Sequence, residues 1–245
     1  MTMLSVNVNK VALLRNSRNI GIPCVAKAAR LCVQAGAGGI TVHPRPDQRH
    51  IRPSDVQELA GLLTVEFNIE GNPFAEPAGD YPGFMAIVRQ AKPTQCTLVP
   101  DAPGQFTSDH GWDLTRDAAR LKPVVEELKQ LGARVSLFMD PDLDQIARAP
   151  QAGADRVELY TESYARAFAA GDVDAVFQRY ARAARHAQDL GLGVNAGHDL
   201  NLENLGKFVT IPGILEVSIG HALISEALEM GLAATVREYV RILSE

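Results

Sequence analysis

PCVAKAARLCVQAGAGGITVH, residues 23–43, holds a whole structural unit in one line. Pro23 opens a segment with apolar residues at helical spacing, and Gly36 closes it. A Gly-Ala turn follows. Then comes GITVH (39–43), a short run with β-branched residues that reads as a strand. A helix feeding a strand through a tight turn is the repeating unit of a parallel sheet, because parallel strands need a crossover connection.

The unit recurs from end to end. Strands are expected at LSVNVN (4–9), GITVH (39–43), VEFNIE (65–70), QCTLVP (95–100), ARVSLFMD (133–140), DRVELY (155–160), LGVNAG (192–197) and ILEVSIG (214–220). Helices are expected after them, at 23–37, 53–63, 81–91, 115–131, 141–153, 172–191, 202–209 and 222–244. Eight strands, each followed by a helix, within 245 residues predict an α/β fold of the (β/α)8 TIM barrel type. No linker or composition shift divides the chain, so one domain over 1–245 is expected. A doubly wound open sheet is the competing arrangement, but no GxGxxG follows the first strand. The loop 101–114 is long for a barrel and carries the single tryptophan, as binding loops often do.

Bulk properties narrow the function. The hydrophobic fraction of 46% supports an ordinary core without staples. The formal net charge of −5 gives no basic footprint for nucleic acid or an anionic membrane. Locally basic spots must then serve small partners. Cys24, Cys32 and Cys96 form no CxxC pair, which argues against a disulfide framework or a structural zinc site. The N-terminus lacks a signal-peptide pattern, and no run of about 18 apolar residues exists. A reduced, cytoplasmic setting is the expectation.

Alternation along the strands places polar residues inside. In VEFNIE, Val65, Phe67 and Ile69 share one face, while Glu66, Asn68 and Glu70 share the other. Asn7 with Asn9, Thr41 with His43, Glu158 with Tyr160, and Glu216 with Ser218 follow the same rule. The apolar face packs on helices, so the polar face points into the barrel. Barrel interiors are normally filled by branched apolar side chains. Burying carboxylates there costs several kcal/mol unless they are partnered. The C-terminal rim of the strands is where such a cost is tolerated for chemistry. His43, Glu70, His198 and His221 fall at or just past strand C-termini. Arg45, Arg49 and His50 follow His43 on a loop restricted by Pro44 and Pro46. A fixed guanidinium there suits a phosphate or carboxylate. Gly220 and His221 open the last helix, the usual phosphate site of such barrels. No HxH or HExxH pair is present, so no metal is expected.

VNVNKVALLRNSR, AGAGGITVHPRPDQRHI, FNIEGN, TLVPD, VSLFMD, GLGVNAGHDL and VSIGHAL together resemble the pyridoxine 5′-phosphate synthase family of vitamin B6 biosynthesis. The resemblance covers essentially the whole chain. It implies a (β/α)8 barrel with extra helices, assembled as a homo-octamer built from dimers. It implies condensation of 1-deoxy-D-xylulose 5-phosphate with 3-amino-2-oxopropyl phosphate, giving pyridoxine 5′-phosphate, phosphate and water, with no cofactor. By the same resemblance His43 and Glu70 are proton acceptors and His198 a proton donor. Arg45, His50 and Thr107 match positions that hold the deoxyxylulose phosphate. Asn7, Arg18, Gly220 and His221 match positions that hold the aminoketone phosphate.

Two departures touch this pattern. The family often has Asn-x-Asp-His where this chain has Asn7-Val8-Asn9-Lys10, and often Gly where this chain has Asp199. Asn9, Lys10 and Asp199 are therefore candidate substrate contacts peculiar to this sequence. Two other functions remain open on residues alone. A sugar-phosphate aldolase or epimerase would share the phosphate sites, although no inward strand lysine is present for a Schiff base. A phosphate-ligand sensor would keep the fold but has no need of an acid/base set.

Overall fold

Every strand pairing in the protein is parallel, and the last strand pairs back with the first. The computed structural model describes all residues, Met1–Glu245. The strands are β1 (Met3–Asn7), β2 (Gly39–Val42), β3 (Glu66–Gly71), β4 (Gln95–Leu98), β5 (Arg134–Met139), β6 (Arg156–Leu159), β7 (Gly193–Ala196) and β8 (Ile214–Ile219). They close in sequence order, the (β/α)8 barrel expected from the repeating unit. Long helices at Val25–Gln34, Pro53–Leu62, Phe84–Ala91, Leu114–Gln130, Asp174–Asp189 and Leu232–Ser244 lie between or after the strands. Further helices at Asn9–Asn16, Leu143–Ile146, Glu162–Ala169, Leu205–Phe208 and His221–Met230 complete the set.

Alternation works as read. Val6, Ile40, Val42, Ile69, Cys96, Leu98, Val135, Leu137, Val157, Leu159, Val194 and Val217 are all fully buried in one apolar layer with the helices. Each such side chain is worth about 1.5–3 kcal/mol of burial. The opposite faces bond to one another inside. Ser5 and Thr41 share a hydroxyl bond of 2.7 Å. Asn68 Nδ2 donates to Thr41 Oγ1 at 3.3 Å and Thr97 Oγ1 at 3.1 Å. Thr97 donates to Glu158 Oε2 at 3.3 Å. Nearer the N-terminal mouth, Arg156 donates to Asn195 at 3.0 Å and Glu216 at 3.4 Å. Arg134 there donates to Gln95 at 2.8 Å and pairs with Glu66. Most buried polar groups are thus partnered, with Ser136 Oγ of β5 an exception.

Some segments depart from the sequence reading. The first strand ends at Asn7, not at 9, because Asn7 Oδ1 accepts the Asn9 N–H at 3.0 Å and turns the chain into the helix Asn9–Asn16. Asn9 is therefore not an inward strand residue. The helix expected over 222–244 is two helices, broken at Gly231, whose φ of +83° no helical residue adopts. The short helix expected over 141–153 divides into Leu143–Ile146 and a single tight turn at Ala149–Ala152. Glu162–Ala169 is a helix that the apolar spacing did not announce.

Arg15, on the unannounced first helix, is buried rather than solvated. Its Nη2 donates to Asp55 Oδ2 at 2.9 Å and to the His50 carbonyl at 3.2 Å. Asp55 Oδ2 also accepts the Arg52 N–H at 2.8 Å, at the start of the helix Pro53–Leu62. Removing one partner of a buried pair strands the other charge, at a cost of about 3–5 kcal/mol. Asp55→Ala is predicted to lower the thermal midpoint by roughly 10 °C, whereas Arg15→Met with Asp55→Ala recovers most of that loss. Thermal unfolding of the two variants measures it.

Candidate active site

The barrel ends in a cavity of about 510 Å³ at the C-terminal side of its strands. Nearly every site residue expected from sequence lines it. Asn7, Asn9 and Lys10 come from the end of β1 and the helix after it. His43, Arg45 and His50 come from the loop after β2, and Glu70 from β3. Thr107 comes from the long loop after β4, His198 and Asp199 from the turn after β7, and Gly220 and His221 from the end of β8. Arg18 is the exception. It is exposed on the turn after the first helix and does not line the cavity.

At the centre, His43 Nδ1 lies 3.8 Å from Glu70 Oε2, and His43 Nε2 lies 3.9 Å from Asp101 Oδ2. The His43 N–H is held by Asn9 Oδ1 at 2.9 Å, so Asn9 fixes the strand end even though it left the strand. Asn7 Nδ2 donates to Glu70 Oε2 at 3.3 Å. Asp101 pairs with Arg45 and accepts from Ser108 Oγ at 2.9 Å.

Burial and the nearby Arg45 guanidinium hold His43 well below its usual pKa, so it stands neutral and able to accept a proton. Burial, reinforced by the negative charge of Asp101, pushes Glu70 up to about 8. Glu70 therefore carries a proton near neutrality and accepts one only after giving this up. Glu158, deeper in the barrel, is raised well above the usual carboxylate range by burial and by Glu70. Burial and Arg45 lower His50 to about 3. Its Nδ1 accepts the Ile51 N–H at 2.9 Å, which leaves the proton on Nε2 as a neutral donor.

The long loop crosses this mouth. Arg45 Nη1 donates to the Gln105 carbonyl at 3.1 Å, and Arg49 Nη1 to the Phe106 carbonyl at 2.9 Å. On the far side Thr107 Oγ1 meets His198 Nε2 at 3.2 Å. The loop thus bridges the β2 and β7 rims directly over the cavity. No three His, Cys, Asp or Glu side chains converge as metal ligands. No helix is long and apolar enough to cross a membrane.

Residues 4–245 match the family model described as "Pyridoxal phosphate biosynthesis protein PdxJ". The chain belongs to the PdxJ family. It is 59% identical over 246 residues to a pyridoxine 5′-phosphate synthase of Xanthomonas axonopodis pv. citri, covering 99% of this chain and 96% of that protein. It is 58% identical to one of Xylella fastidiosa, covering 99% and 95%. Among solved structures it resembles a thiamine phosphate pyrophosphorylase from Pyrococcus furiosus, with a TM-score of 0.63 at 11% identity over 99% of this chain and 95% of that one. It also resembles a phosphoribosyl anthranilate isomerase from Thermotoga maritima, with a TM-score of 0.61 at 11% identity over 100% and 99%. Those two likenesses speak to the barrel alone.

Sequence reading missed parts of this PdxJ site. Asp101 was not singled out, although a carboxylate directly after a strand C-terminus was the available signal. Arg49, Ser108, Tyr160, Glu162 and Ser218 also face the cavity. Tyr160 and Ser218 were legible as inward positions, and Arg49 as a loop cation. Ser108 and Glu162 carried no pattern.

A raised carboxyl pKa has a consequence for stability. The unfolded chain releases the Glu70 proton near the ordinary carboxylate pKa, whereas the folded chain keeps it to about 8. Wild-type stability therefore falls as pH rises between those two values, and the loss is complete above the higher one. Glu70→Gln has no such proton to lose. The difference in thermal midpoint, variant minus wild type, is predicted to grow in the variant's favour from pH 5 to pH 8. Calorimetry at matched ionic strength reads it.

Proposed function

We propose that this protein is a pyridoxine 5′-phosphate synthase, condensing 1-deoxy-D-xylulose 5-phosphate with 3-amino-2-oxopropyl phosphate. The observation that carries the reading is convergence. His43, Glu70 and His198 leave three different strands and meet in one cavity, beside cationic groups on one side and a helix N-terminus on the other. The relatives' printed activity supports the same reading.

Lys10, Arg45 and Arg49, with the neutral donor His50, form the anion-binding side, where the deoxyxylulose phosphate is placed. Arg45 gives part of its guanidinium to Asp101 and Gln105, so its remaining N–H groups, with Lys10 and the Nε2–H of His50, serve the anion. The N-terminus of the helix His221–Met230, next to Asn7, takes the aminoketone phosphate. With both phosphates anchored, the amine and ketone are held at reacting distance.

The amine attacks the ketone to give a Schiff base with loss of water. Loss of phosphate and an aldol-type closure complete the ring. Neutral His43 accepts a proton at the outset. Glu70 becomes an acceptor once an ammonium group beside it favours the carboxylate, and His198 returns a proton from the far rim. A Schiff-base aldolase is disfavoured because Lys10, the one lysine on the cavity, stands on a helix outside the barrel interior.

Assembly into a homo-octamer built from dimers, in the cytoplasm, is part of this reading. Support for the assembly is the exposure of Leu13, Leu14, Ile20 and Ile22, close in sequence to the exposed Arg18. Light scattering should give close to eight times the 26.4 kDa chain mass, and a monomer would refute the assembly.

The decisive assay mixes both substrates with the protein in the presence of a chelator and follows pyridoxine 5′-phosphate and free phosphate together. Equal yields of the two are expected. His43→Gln and Glu70→Gln should each lower kcat by about 10²–10⁴-fold. Unchanged turnover in either variant would remove that residue from the proton-transfer set.

A further inference from the structure

Asp199 stands in a place where glycine is easiest. Its φ is +66°, in the left-handed region that few non-glycine residues adopt. The turn is nevertheless well tied. Leu200 N–H donates to the Gly197 carbonyl at 3.0 Å. Asn204 Nδ2 donates to the Asp199 carbonyl at 3.1 Å, and the Thr161 hydroxyl donates to the His198 carbonyl. The result points the Asp199 carboxylate back at the preceding side chain. Its Oδ2 lies 3.4 Å from His198 Nδ1, while His198 Nε2 faces Thr107 at 3.2 Å across the cavity.

A carboxylate at a cavity that takes two phosphates repels them, so substrate phosphate is a poor partner for Asp199. The ring beside it is a good one. We propose that Asp199 is a positioning residue: its carboxylate accepts from Nδ1–H of His198 and fixes the ring so that Nε2 delivers the proton into the cavity. This rests on the proposed acid/base role of His198 and adds the group that orients it.

The proton balance follows from the geometry. The imidazolium donates its Nε2 proton to the reacting intermediate, keeps the Nδ1 proton toward Asp199, and is left neutral with a lone pair on Nε2. The Thr107 hydroxyl can then bond to that lone pair. Solvent restores the proton in the next cycle. The interaction is reciprocal: the His198 hydrogen bond is the leading cause of the lowered Asp199 pKa. Other charged or titratable groups face this corner. Tyr160 meets the ring edge-on at 5.1 Å. Glu162, Asp109 and Asp140 add negative charge near Tyr160, and His43 and His221 stand on the other sides. Asp199 is the carboxylate in contact with the ring, and it is partly exposed, so its effect is screened to a modest size.

The test uses the full chain as wild type, Asp199→Asn and Asp199→Gly. Asn keeps the shape and tolerates the left-handed backbone, whereas Gly removes the side chain and relaxes the backbone. For both variants the alkaline limb of kcat should move about 0.5–1 pH unit downward. That means a loss of kcat at every pH, about 3–10-fold larger at pH 8.5 than at pH 6, with both KM values changed less than kcat. An NMR titration of the His198 ring, independent of turnover, should move its midpoint in the same direction in Asp199→Asn. An unshifted midpoint overturns the proposal even if the wild type makes no product, an outcome that would separately sink the synthase reading. An unshifted limb with a raised KM for the aminoketone overturns it too, and makes Asp199 a contact for the ammonium group. A change seen only in Asp199→Gly overturns it in favour of a purely backbone role.

Discussion

A closed parallel barrel leaves an inward polar side chain little to bond except other inward side chains. Every other feature of this molecule follows from how that constraint is met. In the middle of the barrel it is met by short neutral groups in series, Ser5 to Thr41 to Asn68 to Thr97. At the N-terminal mouth it is met by arginines against carboxylates and amides. At the C-terminal mouth it is met only in part. His43, Glu70 and Asp101 lie within reach of one another, but one carboxylate oxygen of Asp101 and the hydroxyl of Ser218 have no partner. Two of the four unpartnered buried groups thus lie at the cavity end, Ser136 Oγ of β5 and Arg148 Nε being the others.

The central electrostatics hang on where Arg45 goes. It reaches Asp101 and not Glu70, and burial, reinforced by the charge of Asp101, keeps the proton on Glu70. Burial also keeps His43 and His50 from taking protons, and the same guanidinium reinforces it. A raised carboxyl thus stands beside two imidazoles held neutral. This is the usual way one fold obtains an acid and a base at one pH. Arg45 also carries the Gln105 carbonyl, so loop position and protonation pattern are coupled through one side chain.

Much of this was legible in the sequence, for definite reasons. The barrel came from period-2 runs alternating with helical runs, and the inward carboxylates came from strict alternation in VEFNIE. The rim residues came from strand C-termini. What stayed hidden depended on contacts across the fold. The helix Asn9–Asn16 escaped because the Asn9 N–H bond to Asn7 Oδ1 ends the strand two residues early. The burial of Arg15 stayed hidden because its partner, Asp55, is forty residues away. Asp101 gains meaning only when the loop after β4 folds back onto Arg45. The Gly231 break was written in the chain but masked by good helix formers on both sides.

The departures from the family pattern are best understood as changes of charge at fixed geometry. Asn9 still does what any oxygen acceptor at that position must do, since it holds the His43 N–H. What it no longer supplies is a third carboxylate beside Glu70 and Asp101. A further negative charge there would push the Glu70 proton off still less readily, because like charges raise one another's pKa. Lys10 acts in the same direction from the other side, adding a cation that helps hold His50 neutral. The two substitutions therefore make the cavity more positive. For a site whose proposed substrates both arrive as phosphates, that is a gain in anion binding. His43, Glu70 and His198, the proposed proton-transfer groups, stay at the rims of β2, β3 and β7.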